Sequence, residues 1–199
     1  TESVTLHLNG ETLEVTHINN AHTDGDAIIY FKESNVIHTG DVFVRYGLPF
    51  IDQPHGGSID GMIKGVDKIL AIANDDTKII PGHGAMSNKK DLLEFKKMLQ
   101  ILRDRIAGAM KAFDAALDAD PNNAKAAYDR GRINLVLHKN AQAVADFTSA
   151  VLSDPTLGVA YSARGEVKII LKDEKGGFAD FGAGITASPK EPEVYILRA

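Results

Sequence analysis

Three residues, His22, Asp41 and His83, sit in short glycine-bearing bends that follow apolar, β-rich runs: "AHTDGD" at residues 21–26, "HTGD" at 38–41 and "PGHG" at 81–84. Two imidazoles and a carboxylate form a donor set suited to zinc and related divalent ions. Strand ends in a layered α/β domain gather on one edge, where loops pool their side chains into a site. Gly25, Gly40, Gly82 and Gly84 flank the three residues and permit the tight turns and close backbone approach that a metal site needs. Asp and Gly after a strand are also ordinary turn formers, and a lone histidine commonly serves as a hydrogen-bonded loop residue. Spacing by itself leaves both readings open.

The other histidines are less suggestive. His38 lies three residues before Asp41, which on a strand puts the two side chains on opposite faces, so a packing or hydrogen-bonding role is expected. His7 and His17 fall in predicted strands, His55 in the loop "DQPHGG" and His138 at a predicted helix end. Asp24 and Asp26 are near enough to His22 to accept a hydrogen bond from its ring and so orient it, or simply to cap the turn. The segment "RYGLPFIDQPHGGS" (45–58) is rich in glycine, proline and aromatics. It is a candidate substrate rim through Tyr46 and Phe50, with sealing of the core edge as the ordinary alternative.

The elements that must position these residues follow from periodicity. Val4, Leu6 and Leu8 alternate with polar residues, as do Leu13 and Val15, and "NG" at 9–10 is a hairpin signal between them. "AIIYF" (27–31), "NVIH" (35–38) and "TKII" (77–80) predict further strands. From Ser58, a candidate N-cap, the positions Ile59, Met62, Ile63, Val66, Ile69, Leu70 and Ala73 follow helical spacing and predict a core-facing helix. A second helix is expected from about Lys89 through Leu92, Phe95, Leu99, Leu102 and Ile106.

The second half repeats. Pro121, Pro155 and Pro189 stand 34 residues apart, as do Phe113, Phe147 and Phe181; Leu117, Val151 and Ile185; and Gly131 and Gly165. Small residues let paired helices approach, the phenylalanines fill the groove between them, and each proline ends a helix. Arg130, Arg164 and Arg198 keep the same step, so the chain is expected to stop within a repeat and both termini to be cut.

Two resemblances are carried by these motifs. "AHTDGDAIIYF", "VIHTGDVF", "GGSIDG" and "IIPGHG", in this order over residues 1–106, resemble the C-terminal half of a metallo-β-lactamase-fold hydrolase. Residues 107–199, with Ala109 and Phe113, Ala143 and Phe147, and Gly177 and Phe181 before the prolines, resemble tetratricopeptide repeats, the last one truncated. Lys97 stands where the first repeat's glycine is expected, so that repeat is expected to supply only a second helix. The implied fold is α+β: half of an αββα sandwich followed by an all-α repeat array.

By that resemblance His22 would bind a first zinc ion, Asp41 would bridge two or favour the second, and His83 would bind the second. The implied chemistry is two ions sharing a water whose pKa they lower, for attack on an ester, thioester or lactam-type carbonyl. Asp41 stands where some true β-lactamases have a cysteine, which points to the wider hydrolase family. The H-x-H-x-D-H motif that supplies that family's other ligands has no counterpart in this sequence. The chain is therefore expected to be a partial one, inactive alone. The alternative function is a protein-interaction scaffold, with the repeats binding a protein or peptide. An artificial joining near 104–112 is a third reading.

Composition narrows the remaining classes. A formal charge of −5 with scattered Lys and Arg offers no basic stripe for nucleic acid. No run approaches the length of a membrane span, and a soluble protein is expected, periplasmic or cytoplasmic alike. The absence of cysteine excludes disulfides and thiolate ligands without deciding the compartment. A half sandwich would leave one sheet face bare, so self-association, aggregation or coverage by the helical array is expected.

Overall fold

Asn9 and Gly10 adopt φ values of 52° and 81°, the two left-handed positions of a tight hairpin turn. They join β1 (Ser3–Leu8) to β2 (Glu11–Ile18). The computed structural model describes residues 3–196, so Arg198 and Ala199 lie outside the described residues. β3 (Asp26–Phe31), β4 (Val36–His38) and β5 (Lys78–Ile80) complete a five-stranded sheet in the order β1-β2-β3-β4-β5. Neighbours are antiparallel from β1 to β4, and β4 pairs with β5 in parallel.

Strand alternation divides the sheet into two unlike faces. Ile18, Ile28, Ile37 and Ile79 share one face and are buried. They form one core with Met62, Val66 and Ile69 of α1 (Ile59–Ile72) and with Leu92, Phe95 and Leu99 of α2 (Lys89–Ala119). Ser58 caps α1, its Oγ accepting the Gly61 amide at 2.9 Å. A Cβ on Gly65 would meet Ile18 and Val42 at 2.7 and 2.8 Å, so the missing side chain lets α1 lie close against the strand ends.

The other face carries Val4, Leu6 and Leu8, which are 51%, 50% and 62% exposed. Val15 and Leu13 stand opposite Val4 and Leu6, and Ile29 and Phe31 stand opposite these in turn. This half of the alternation is apolar yet uncovered.

The chain divides into two compact units between Arg105 and Ile106, and α2 runs unbroken through that point for 31 residues. The second unit continues with α3 (Ala124–Val136), α4 (Asn140–Ser153), α5 (Gly158–Ile170), α6 (Glu174–Ala187) and α7 (Glu193–Ile196). The 34-residue period is visible in the backbone: His138 and Lys172, one period apart, take φ of 52° and 68° where α3 and α5 end.

The same period governs packing. A Cβ on Gly131 would lie 2.7 Å from the Phe147 ring, and one on Gly165 would lie 2.9 Å from the Phe181 ring. The Arg column also has a partner column. Arg130 donates through Nε and Nη2 to Asp146, at 3.1 and 2.6 Å to Oδ1, and Arg164 donates in the same two-pronged way to Asp180 at 2.8 and 2.7 Å. The described residues thus make an α+β chain, a sheet with two helices followed by a helical array.

Candidate metal centre

β2, β4 and β5 run in the same direction, because each of the first two is antiparallel to β3 and β5 is parallel to β4. Their C-terminal ends therefore share one edge of the sheet. His22, Asp41 and His83 leave the strands three or four residues past Ile18, His38 and Ile80.

Main-chain bonds lock these loops together. Thr39 N–H donates to the Ile80 carbonyl at 3.0 Å, Gly82 N–H to the carbonyls of Gly40 at 2.9 Å and Phe43 at 3.0 Å, and Arg45 N–H to the His83 carbonyl at 2.9 Å. A Cβ on Gly82 would collide with the Asp41 carboxylate and fall 2.7 Å from the Gly40 backbone. The bare glycine is what allows "PGHG" to lie flush against "HTGD". On the other side the His22 carbonyl accepts the Asp52 amide at 2.8 Å, tying the 45–58 segment to the same rim.

The carboxylate of Asp41 presents one oxygen to each imidazole. His83 Nε2 lies 3.4 Å from Oδ1, and His22 Nε2 lies 3.7 Å from Oδ2. The His22 Nδ1 is 2.9 Å from the Phe50 carbonyl oxygen. A carbonyl can only accept, so Nδ1 carries the proton. When the ring is neutral, Nε2 is then a lone pair aimed at a carboxylate oxygen. Nε2 and Oδ2 are both electron-pair donors, and a cation set against the pair would be held by both. The Phe50 ring tilts against His22 with centroids 5.8 Å apart, and the edge of Tyr46 meets His83 at 5.4 Å. Both aromatics are well exposed, so they form a rim over the two imidazoles.

Donor atoms bonded at about 2.0–2.2 Å to a tetrahedral ion stand about 3.4 Å apart, and the two separations at Asp41 are close to this. Because each imidazole faces a different oxygen, the three residues make two corners of two donors sharing one bridging carboxylate. They do not close around one point, and among the described residues no group of three His, Asp or Glu side chains is arranged to hold a metal ion. The donor set fits a metal in kind and spacing but falls short in number, since a zinc site takes at least three protein ligands.

The remaining histidines lie elsewhere or serve the backbone. His38 Nδ1 accepts the Gly40 amide at 3.1 Å, so its role is to brace the turn that carries Asp41. His17 Nε2 pairs with the Asp24 carbonyl at 2.6 Å, His7 with Thr12 at 3.3 Å, and His55 with Asp52 at 2.8 Å.

Asp24 and Asp26 do not orient His22. Asp26 accepts the Thr23 amide at 2.8 Å and caps that turn. The Phe50 main chain is the orienting group instead, and no side-chain type in the sequence signals a main-chain acceptor. Arg45, bonded to Asp91 of α2 at 2.9 Å, anchors the start of the rim segment.

No protein-family model and no curated protein matches the sequence. Among solved structures, 49% of the chain is similar to a metallo-β-lactamase from Pontibacter korlensis at 15% identity and a TM-score of 0.43, covering 46% of that chain. The BLEG-1 B3 metallo-β-lactamase is similar over 50% of this chain and 46% of its own, at 22% identity and a TM-score of 0.42. The first TPR of Spaghetti (RPAP3), solved bound to an HSP90 peptide, is similar over 49% of this chain and 79% of its own, at 25% identity and a TM-score of 0.44. The chain spans about half the length of the metallo-β-lactamases it matches. Likenesses this distant leave the activity to be argued from side chains. Among the described residues no helix is long and apolar enough to cross a membrane.

Proposed function

We propose that His22, Asp41 and His83 are metal ligands of a metal-dependent hydrolase centre of the metallo-β-lactamase type, with Asp41 bridging. Zinc is the ion this donor set suits best, acting on an ester, thioester or lactam-type substrate. What supports this is the pair of imidazoles set against opposite oxygens of one carboxylate, with His22 held by the Phe50 carbonyl so that Nε2 is the free donor.

A bound divalent ion would supply Lewis acidity and an activated water at neutral pH. The chain's own residues do the positioning: Gly82 seats the Asp41 carboxylate, His38 braces its turn, and Tyr46 and Phe50 flank the place where a substrate would approach. With only two donors at each corner, the described residues are expected to bind metal weakly and not to turn over substrate without further ligands.

The test is metal content after equilibrium dialysis against zinc, for the wild type and for Asp41→Ala, His22→Ala and His83→Ala. It is paired with a panel of esters, thioesters and lactams assayed on the natural gene product that contains this chain. Zinc uptake lost in the variants, with zinc-dependent hydrolysis by the natural product, is the expected result. Uptake indifferent to Asp41 would remove the basis of the proposal.

A second reading concerns the helical unit and has its own observation. α3, α5 and α7 line a cavity of about 410 Å³ that includes Tyr128, Val136 and Val159, and Val136 is 71% exposed. Apolar side chains open to solvent beside a tyrosine suit a protein or peptide partner. The repeats therefore serve as a docking surface, whatever the first unit catalyses.

A further inference from the structure

The groove on the helical unit has an uneven distribution of charge. Its lining includes one cation, Arg132 of α3, and two acids, Glu166 of α5 and Glu193 of α7. Arg132 and Glu166 occupy the same position in successive repeats, 34 residues apart, so the repeat presents opposite charges at equivalent places.

The cations of α3 are engaged. Arg132 lies over the Tyr128 ring at 6.0 Å from its centroid, with the Lys125 ammonium 5.2 Å from the same ring, and Lys125 also pairs with Asp129 at 2.5 Å. Glu166 is half-buried beside Val159 and Ala163 and has no ion-pair or hydrogen-bond partner among the described residues. Burial pushes its carboxyl above the usual carboxylate range, and the more distant charge of Arg132 only partly opposes that. A carboxylate held in such surroundings is stabilised by a cation brought to it.

Resting on the reading that the repeats bind a peptide, we propose that this groove takes an extended peptide that sets a lysine or arginine against Glu166. An adjacent aliphatic residue packs on Val136 and Val159. The aliphatic neighbour supplies buried apolar area, and the cation supplies the ion-pair partner that Glu166 lacks among the described residues. Glu193, at the α7 end of the same groove, adds to the preference for positive charge.

A random heptapeptide phage library selected on the intact chain tests this, followed by fluorescence anisotropy with the enriched peptides in synthetic, labelled form. Enriched sequences are expected to carry Lys or Arg next to Leu, Ile or Val. Their affinity should fall about tenfold or more in Glu166→Gln and rise in Arg132→Gln, while Glu174→Gln, an exposed acid outside the groove, leaves it unchanged. A gain in the Arg132 variant is a result that misfolding cannot produce. Acidic or uncharged peptides, or basic peptides indifferent to Glu166, would overturn the charge assignment and leave peptide binding standing. No enrichment above bare support would overturn both.

Discussion

At the scale of single residues, the centre depends on atoms that hold Asp41 and His22 in place as much as on the donors themselves. Gly82 is the clearest case, since any side chain there enters the space of the Asp41 carboxylate. Gly82→Ala is expected to cost about 1–3 kcal/mol of stability, in the range for overpacking a closed site, and to reduce zinc uptake as far as Asp41→Ala does. Thermal melts and dialysis measure the two effects on one sample. Sequence spacing brought His22, Asp41 and His83 forward because the residue types and the flanking glycines are visible in the chain. It left Asp24 and Asp26 open between orienting His22 and serving the turn; Asp26 serves the turn, and the acceptor at the His22 Nδ1 is the Phe50 carbonyl, a group that every residue possesses. The rim aromatics were legible as an unusual composition, but their placement over the imidazoles is a property of the folded loop.

At the scale of elements, the 34-residue period was legible wherever it used glycine, phenylalanine or proline, whose shapes constrain helix pairs. The arginine column was visible too. Its partners, Asp146 and Asp180, were not, because a charged column in a helical sequence ordinarily marks a solvated face and here it marks a nearly buried one. Asp180 shows what that pairing does. Burial alone would push its carboxyl up, but hydrogen bonds from Arg164 and Lys168 outweigh it and hold the group below the ordinary value of 3.8.

An acid with a lowered folded pKa contributes stability that is complete above its unfolded pKa and is lost as pH falls through the folded one. Glu166, raised above 4.5, behaves in the opposite sense: its contribution is complete below that value and is lost as pH rises through the raised one. Asp180→Asn is therefore expected to destabilise the array by about 3 kcal/mol near neutrality, with a smaller difference from wild type as pH falls below the ordinary carboxylate value of 3.8. Urea melts across that range provide the check. The glycines divide by their surroundings. A Cβ at Gly182 meets nothing within 4 Å, whereas at Gly165 it would lie 2.8 Å from the Gly177 carbonyl. Gly182→Ala should stabilise by about 0.5–1 kcal/mol through helix propensity, and Gly165→Ala should destabilise, a contrast that the same melts resolve.

At the scale of the whole molecule, the sheet covers one face with α1 and α2 and leaves Val4, Leu6 and Leu8 half or more exposed on the other. Patches of this kind on a soluble chain promote association, so size-exclusion chromatography with light scattering is expected to give a mass above that of one chain. Leu6→Lys should shift it downward. The bare face was expected from the resemblance to half of a sandwich, which implies a sheet without its opposing one. The unbroken α2 was less so, because the chain changes character within it while remaining helical from Lys89 to Ala119. Protease resistance at 104–112 would accord with that continuity. The account's central claim, that Asp41 bridges two imidazoles poised to hold divalent ions, is tested most directly by long-range ¹H–¹⁵N correlation of the histidine rings during a zinc titration. The account predicts a proton on Nδ1 and a free Nε2 for His22 before zinc is added. It then predicts shifts confined to the Nε2 atoms of His22 and His83, absent in Asp41→Ala. A His22 ring protonated on Nε2 alone, or zinc-induced shifts that ignore both rings, would contradict it.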